Sequence, residues 1–241
     1  MNRPLFNISG LKDRDGTPLV ATAIFSNIDF KLPDDFCGFS QEQKDYLSEF
    51  GEFSVAPEKI VNIRQVHGDK VVVIRDRSPE GDVPVEADAL VTNVLDVALA
   101  IRTADCLPVY LYDRLQKVIG LVHAGWRGSQ KEIVLKAVEV MQREWGTRVE
   151  DLSVTFGPAI RSCCYQVGAE FEEIFPDAIR REGESLFLDL ATVNRQQLMS
   201  VGVFKDAFRE ISQCTCCEEE FFSYRRQGEG AGRHLSLFVL R

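Results

Sequence analysis

The hydrophobic pattern is densest in the middle of the chain and reads there as strands. Lys70-Val71-Val72-Val73-Ile74 is a β-branched run, Ala89-Leu90-Val91-Thr92 a shorter one, and Val97-Ala98-Leu99-Ala100-Ile101 is wholly apolar. An unbroken apolar run of this kind suits a strand covered on both faces. Val109-Tyr110-Leu111-Tyr112 and Val118-Ile119-Gly120-Leu121-Val122 follow, and the turn-like residues Asp113 to Gln116 between them predict a hairpin. A helix is predicted next. Ser129 reads as its N-cap, with Glu132 completing a capping box, and Ile133, Ala137, Val138, Met141 and Trp145 share one face before Gly146 stops it. Val154-Thr155-Phe156 predicts another strand, stopped by Gly157-Pro158. Residues 169–175 and 190–200 predict helices, the second ending near Gly202, and Leu235 to Leu240 is the last predicted strand. Several strands precede the first strong helix, so the expected class is α/β with mixed sheets and helices outside, not a regular βαβ winding.

Composition narrows the class without naming a chemistry. A chain of 241 residues, 45 % apolar and 27 % charged, is ordinary globular protein, and the absence of repeats or linkers predicts one domain over 1–241. A net charge of −9 argues against sequence-independent binding to nucleic acid, while leaving room for small anions held by local arginines. No apolar run approaches the roughly 18–20 residues of a membrane span, and Lys12-Asp13-Arg14-Asp15 follows the N-terminus too soon for a signal peptide. Seven cysteines, an odd number in a chain of this size, predict reduced thiols and a cytoplasmic location.

Three side chains stand out as candidate ligands. His67 precedes a predicted strand, Cys106 lies between two, and His123 ends one, so each sits where a sheet meets a loop. Spacings of 39 and 17 residues exclude a zinc finger and require convergence by tertiary folding. Two imidazoles and a thiolate suit zinc, tolerate copper, and as three protein ligands would leave a fourth position open for catalysis. A cysteine nucleophile at Cys106 with His67 or His123 as base explains the same residues, and spacing does not separate the two readings.

Further residues carry a functional and a structural reading side by side. Asp105 is a candidate to orient a histidine or transfer a proton, or else caps a turn before Pro108. Arg64 is a candidate catalytic group reaching phosphate or a substrate oxygen, or else forms an ion pair. Arg127 and Arg225 are candidate substrate-binding residues, although Arg127 could simply pack on Trp126. Phe221, Phe222 and Tyr224, read as lying in a strand, suit a core as well as a platform for a base. Gly228, Gly230 and Gly232 lack the strand-to-helix setting of a dinucleotide loop. Cys163-Cys164 and Cys214-Thr215-Cys216-Cys217 are dense enough to invite a second metal site. Adjacent cysteines seldom give the spread geometry zinc prefers, so these are read as buried thiols. His234 is read as structural.

The strings RQVHG, EADALVTN, TADCLPVYLYD, GLVHAGWRG, GPAIRSCCYQVG and FFSYRR, in this order from about residue 61 onward, resemble the YfiH/laccase-domain family of purine nucleoside phosphorylases. The resemblance implies a four-layer α/β/β/α sandwich with mixed β-sheets, and a catalytic zinc on His67, Cys106 and His123. It implies cleavage of adenosine, inosine and S-methyl-5′-thioadenosine with phosphate, and deamination of adenosine. Older naming in the family implies a copper-dependent polyphenol oxidase, and some members are named as peptidoglycan editing factors, which a Cys–His hydrolase would fit. The partners implied are purine nucleosides and phosphate. Two departures are visible. Residues 25–30, Phe25-Ser26-Asn27-Ile28-Asp29-Phe30, lack the arginine and paired glycines usual after the early Phe-Ser, and Arg161 stands where a glycine is usual.

Overall fold

The computed structural model describes residues 6–7, 21–25, 59–76 and 85–241. Fourteen strands and five α-helices are found among them: β1 (Phe6–Asn7), β2 (Ala21–Phe25), β3 (Ile60–Asn62), β4 (Val71–Ile74), β5 (Ala89–Thr92), β6 (Ala98–Thr103), β7 (Leu107–Asp113), β8 (Val118–Ala124), α1 (Trp126–Gln130), α2 (Ile133–Trp145), β9 (Leu152–Phe156), β10 (Gln166–Val167), α3 (Glu170–Ile174), β11 (Ile179–Glu182), β12 (Ser185–Leu188), α4 (Leu190–Ser200), β13 (Phe208–Glu210), α5 (Tyr224–Gln227) and β14 (His234–Leu240). They form a six-stranded sheet β13-β9-β7-β8-β5-β4, a five-stranded sheet β1-β2-β14-β6-β3 and a small sheet β10-β12-β11. Both large sheets are mixed: β4–β5, β13–β9 and β3–β6 are parallel pairs, whereas β9–β7, β7–β8 and β8–β5 in one sheet and β14 with β2 and β6 in the other are antiparallel.

Period-two alternation explains why the central strands are apolar throughout. Val109, Leu111, Val118 and Val122 face a core shared with Ile133, Ala137, Met141 and Leu198 from helices α2 and α4. Tyr110, Tyr112, Ile119 and Leu121 face the other way, against Leu99, Ile101 and Phe238 of the five-stranded sheet. The six-stranded sheet is therefore a middle layer buried on both faces. The described residues make up three layers, α/β/β; the expected second helical layer has no counterpart among them. Of the atypical segment 25–30, only Phe25, ending β2, is described.

The β7–β8 hairpin forms as expected, with Asp113 paired to Val118, and Asp113 Oδ1 accepting the Leu115 and Gln116 N–H groups that turn the chain. Gly146 ends α2 in the left-handed conformation at φ 70°, as its position suggested. The predicted capping box does not form. Ser129 lies within α1, and its buried hydroxyl accepts from Asn194 Nδ2 of α4 at 2.9 Å. Glu132, at φ 60°, makes the break between α1 and α2. A tertiary hydrogen bond has taken the hydroxyl that a local cap would have used. Nor is FFSYRR a strand: Ser223 caps the short helix α5, its hydroxyl accepting from Arg226 N at 3.2 Å.

Candidate metal centre and its cavity

Alternation along the antiparallel strands brings the site together at one end of the gap between the two large sheets. His123 shares the face of Ile119 and Leu121 on β8 and is paired across the ladder with Pro108 of β7. On its other side the adjoining strand places Asp88, whose carbonyl accepts the His123 N–H at 2.8 Å. Cys106 enters from the turn between β6 and β7, and His67 from the loop before β4. The ligand atoms of His67, Cys106 and His123 all lie within 4.8 Å of one another. The two imidazoles meet edge to face, with centroids 4.9 Å apart. Gly125 makes the approach feasible: a Cβ there would stand 2.9 Å from Cys106 Sγ and 3.2 Å from His67 Cδ2.

Asp88, a residue the sequence reading did not single out, organises this group. It is fully buried, and its Oδ1 meets His123 Nδ1 at 2.8 Å. The same carboxylate accepts the backbone N–H groups of Val66, His67 and Gly68 at 3.3, 3.0 and 2.6 Å. Three consecutive donors around one carboxylate hold His67 in its left-handed backbone conformation, φ 56°. With Nδ1 of His123 committed to Asp88, its Nε2 faces Cys106, the orientation that metal-ligating histidines adopt. The signal in the sequence was a lone carboxylate set in Ala87-Asp88-Ala89-Leu90, where burial demands a partner.

The electrostatics match a ligand set. Burial disfavours the Cys106 thiolate, but His123 and His67 outweigh it and bring the thiol down to about 6. Burial likewise disfavours the His123 imidazolium, but Cys106 and Asp88 outweigh it and raise His123 to about 9. These shifts favour the thiolate at Cys106, the form in which a cysteine binds a metal. A thiolate and two imidazoles, open to a cavity on one side, fit a borderline-soft divalent metal with an exchangeable position.

That cavity measures about 980 Å³ and has Arg102, Arg127, Arg225 and Arg233 in its walls, with Tyr165 and Tyr224 as its aromatic lining. Arg127 lines it and also stacks on Trp126, 4.4 Å from the ring. Arg225 is braced by the Cys164 and Gln166 carbonyls, at 3.3 and 3.0 Å, and lies over Tyr165. Arg226 turns away, its guanidinium donating to the carbonyls of Thr215, Cys216 and Glu218.

The two candidate catalytic residues are placed differently. Asp105 lies in the cavity wall but orients no histidine: its Oδ1 accepts from Thr215 Oγ1 at 2.7 Å and its Oδ2 from Arg225 N at 2.6 Å. It sets the backbone that carries Arg225, and Asp88 has the histidine-orienting role. Arg64 is not brought to the group. Its side chain, 53 % exposed, pairs with Glu86, and it is absent from the cavity wall. His234 is buried, its Nε2 accepting from Phe222 N at 2.8 Å, in keeping with a structural role. The expectation of buried thiols fails for Cys163 and Cys217, which are exposed and gather with Cys164 and Cys214 in a second group.

The chain is similar to known proteins over most of its length. Residues 27–241 match the family described as multi-copper polyphenol oxidoreductase laccase. A purine nucleoside phosphorylase of Aquifex aeolicus is 36 % identical over 180 residues, 75 % of this chain and 82 % of that protein. Adenosine deaminase RL5, from an unknown prokaryotic organism, is 33 % identical over 198 residues, 76 % of this chain and 75 % of that one. The crystal structure of the hypothetical protein YfiH from Bacillus licheniformis superposes with a TM-score of 0.80 at 28 % identity, covering 92 % of this chain and 93 % of that one. With residues 27–241 matching the family and a fold shared with YfiH over 92 % of the chain, the chain belongs to the YfiH-like, multi-copper polyphenol oxidoreductase laccase family.

Proposed function

We propose that the protein is a zinc-dependent purine nucleoside phosphorylase that cleaves adenosine, inosine and S-methyl-5′-thioadenosine with phosphate and deaminates adenosine as a side activity. The observation that carries this reading is the joining of one His–Cys–His group to an arginine-walled cavity large enough for a nucleoside and an anion together. The names of the two relatives support the same substrate class. Zinc is favoured over a set of coppers by the donor inventory. Linked copper sites need many histidines; the whole chain has three, and His234 is engaged with Phe222.

In this reading Arg127 and Arg225 hold phosphate, their planar forks matching its oxygens, and neutralise charge as the base departs from the ribose. Asp105 and the two carbonyls bracing Arg225 keep that fork in place before substrate arrives, which limits the ordering needed on binding. Tyr224, 50 % exposed at the cavity rim, offers a ring for the purine. His67, Cys106 and His123 hold the metal, and Asp88 fixes the histidine that would otherwise rotate. When bound, zinc supplies Lewis acidity toward an electronegative substrate atom. The test is base release from the three nucleosides with and without phosphate, on protein whose metal is quantified. Phosphate-dependent release that disappears in His67→Ala supports the assignment; release indifferent to phosphate, or full activity in that variant, refutes it.

The low thiol pKa of Cys106 favours a second reading, a Cys–His hydrolase of the peptidoglycan-editing kind. Chelators separate the two. They abolish a zinc-dependent activity and spare a thiol-dependent one, which alkylation destroys.

A further inference from the structure

The second group of cysteines lies behind the wall of the cavity, at the junction of two loops. The segment after β9 turns at Arg161, whose carbonyl accepts the N–H groups of Cys164 and Tyr165 at 2.9 and 2.8 Å. The segment after β13 runs beside it: Cys214 bridges to Ala159, and Thr215 N donates to the Ala159 carbonyl at 3.1 Å. This side-by-side placement assembles Cys163, Cys164, Cys214 and Cys217, whose sulfurs all lie within 4.8 Å of one another. Cys217 Sγ stands 3.3 Å from Cys163 Sγ and 3.2 Å from Cys164 Sγ. A disulfide would place two sulfurs at about 2.05 Å, so none of these contacts is a bond. Four sulfurs at about 2.3 Å from a central zinc would stand about 3.8 Å apart, within the range seen.

We propose that Cys163, Cys164, Cys214 and Cys217 form a closed tetrathiolate site for a structural zinc ion, separate from the His67–Cys106–His123 centre. The second pair has the C-x-x-C spacing that wraps a turn around one ion. Its first sulfur is supported as a ligand should be, since Arg161 N donates to Cys214 Sγ at 3.4 Å and the backbone N–H groups of Cys216 and Cys217 do so as well. A set of four sulfurs in tetrahedral reach selects a soft divalent cation such as zinc over harder ions. Cys216, in the same turn, is outside the group.

Four protein ligands leave no open position, so the ion is a brace and not a reaction centre. What it braces is specific. Cys164 O accepts from the Arg225 guanidinium, and Thr215, inside the C-x-x-C turn, donates to Asp105 next to Cys106. The ion would lock the two loops that position the cavity wall. The inference does not depend on the proposed activity.

The test is metal counting on full-length protein purified under reducing conditions with zinc supplied. The parent is expected to carry one zinc more per chain than a Cys163→Ser/Cys217→Ser variant, and Cys216→Ser to match the parent. Cobalt loaded into His67→Ala is expected to show intense thiolate charge-transfer absorption, retained with Cys216→Ser and lost with Cys163→Ser/Cys217→Ser. Equal zinc in the parent and a folded double variant would overturn the proposal. A native mass lowered by the two hydrogens of a disulfide among these cysteines would overturn it in favour of a redox pair.

Discussion

Replacing Asp88 by asparagine isolates what the buried carboxylate does, because the change keeps shape and removes charge. Every neighbour of Asp88 is a donor: Oδ1 faces His67 N and His123 Nδ1, and Oδ2 faces Val66 N and Gly68 N. An asparagine has one acceptor oxygen, so its NH₂ must confront either the histidine side or the loop side. Two charge-assisted hydrogen bonds are lost, each worth about 1.5–3 kcal/mol, for an expected loss of about 3–5 kcal/mol. In a chain of this size that corresponds to a fall in Tm of roughly 6–20 °C. Metal affinity should drop about 10–100-fold, because the His123 ring loses the partner that fixes its tautomer. Thermal unfolding of metal-free protein and competition for zinc against a chelating dye measure the two effects separately. Burial raises the Asp88 pKa, but hydrogen bonding and charge from His123, with the loop N–H groups, bring the net value below its ordinary 3.8. Its contribution is therefore complete above that pH and lost as pH falls through the lower folded value, so the parent–variant gap should close in acid. An Asp88→Asn protein with parental Tm and zinc affinity would refute the role assigned here.

Three other outcomes follow from the same geometry. Gly125→Ala inserts a Cβ 2.9 Å from Cys106 Sγ, although φ −75° suits alanine. Overpacking of about 1–3 kcal/mol should therefore fall on metal binding and leave helix content unchanged by circular dichroism. In metal-free protein Cys106 should react with iodoacetamide along a curve rising near pH 6, and His123→Ala should move that curve upward; an unmoved curve contradicts the part His123 plays in favouring the Cys106 thiolate. Arg225→Ala should raise KM for phosphate at least tenfold, given about 1.5–3 kcal/mol for a charged hydrogen bond, whereas Arg64→Ala should leave it unchanged. The opposite pattern would restore Arg64 to the site.

Local regularities were legible wherever neighbours in sequence are neighbours in space. The β7–β8 hairpin, the buried face of α2 and its Gly146 stop follow from two- and 3.6-residue periods and one left-handed residue. The capping box failed because the Ser129 hydroxyl belongs to Asn194, 65 residues away. The gathering of the cysteine group was not legible because it depends on the turn at Arg161, which brings both Cys163 and Cys164 beside Cys217, more than 50 residues away. Arg127 and Arg225, singled out within their motifs, line the cavity, while Asp88 was hidden in a strand-like string whose importance lies in what crosses the sheet to meet it.

The amino-acid pattern by itself determined the strand faces, the central hairpin and the donor chemistry of the three candidate ligands. Only the tertiary structure decided that β8 lies between β7 and β5, and that order brings Cys106, His123 and Asp88 to one edge. Side-chain periodicity is a property of a few consecutive residues. A site spanning residues 67 to 123 depends on non-local pairings, which no local pattern encodes.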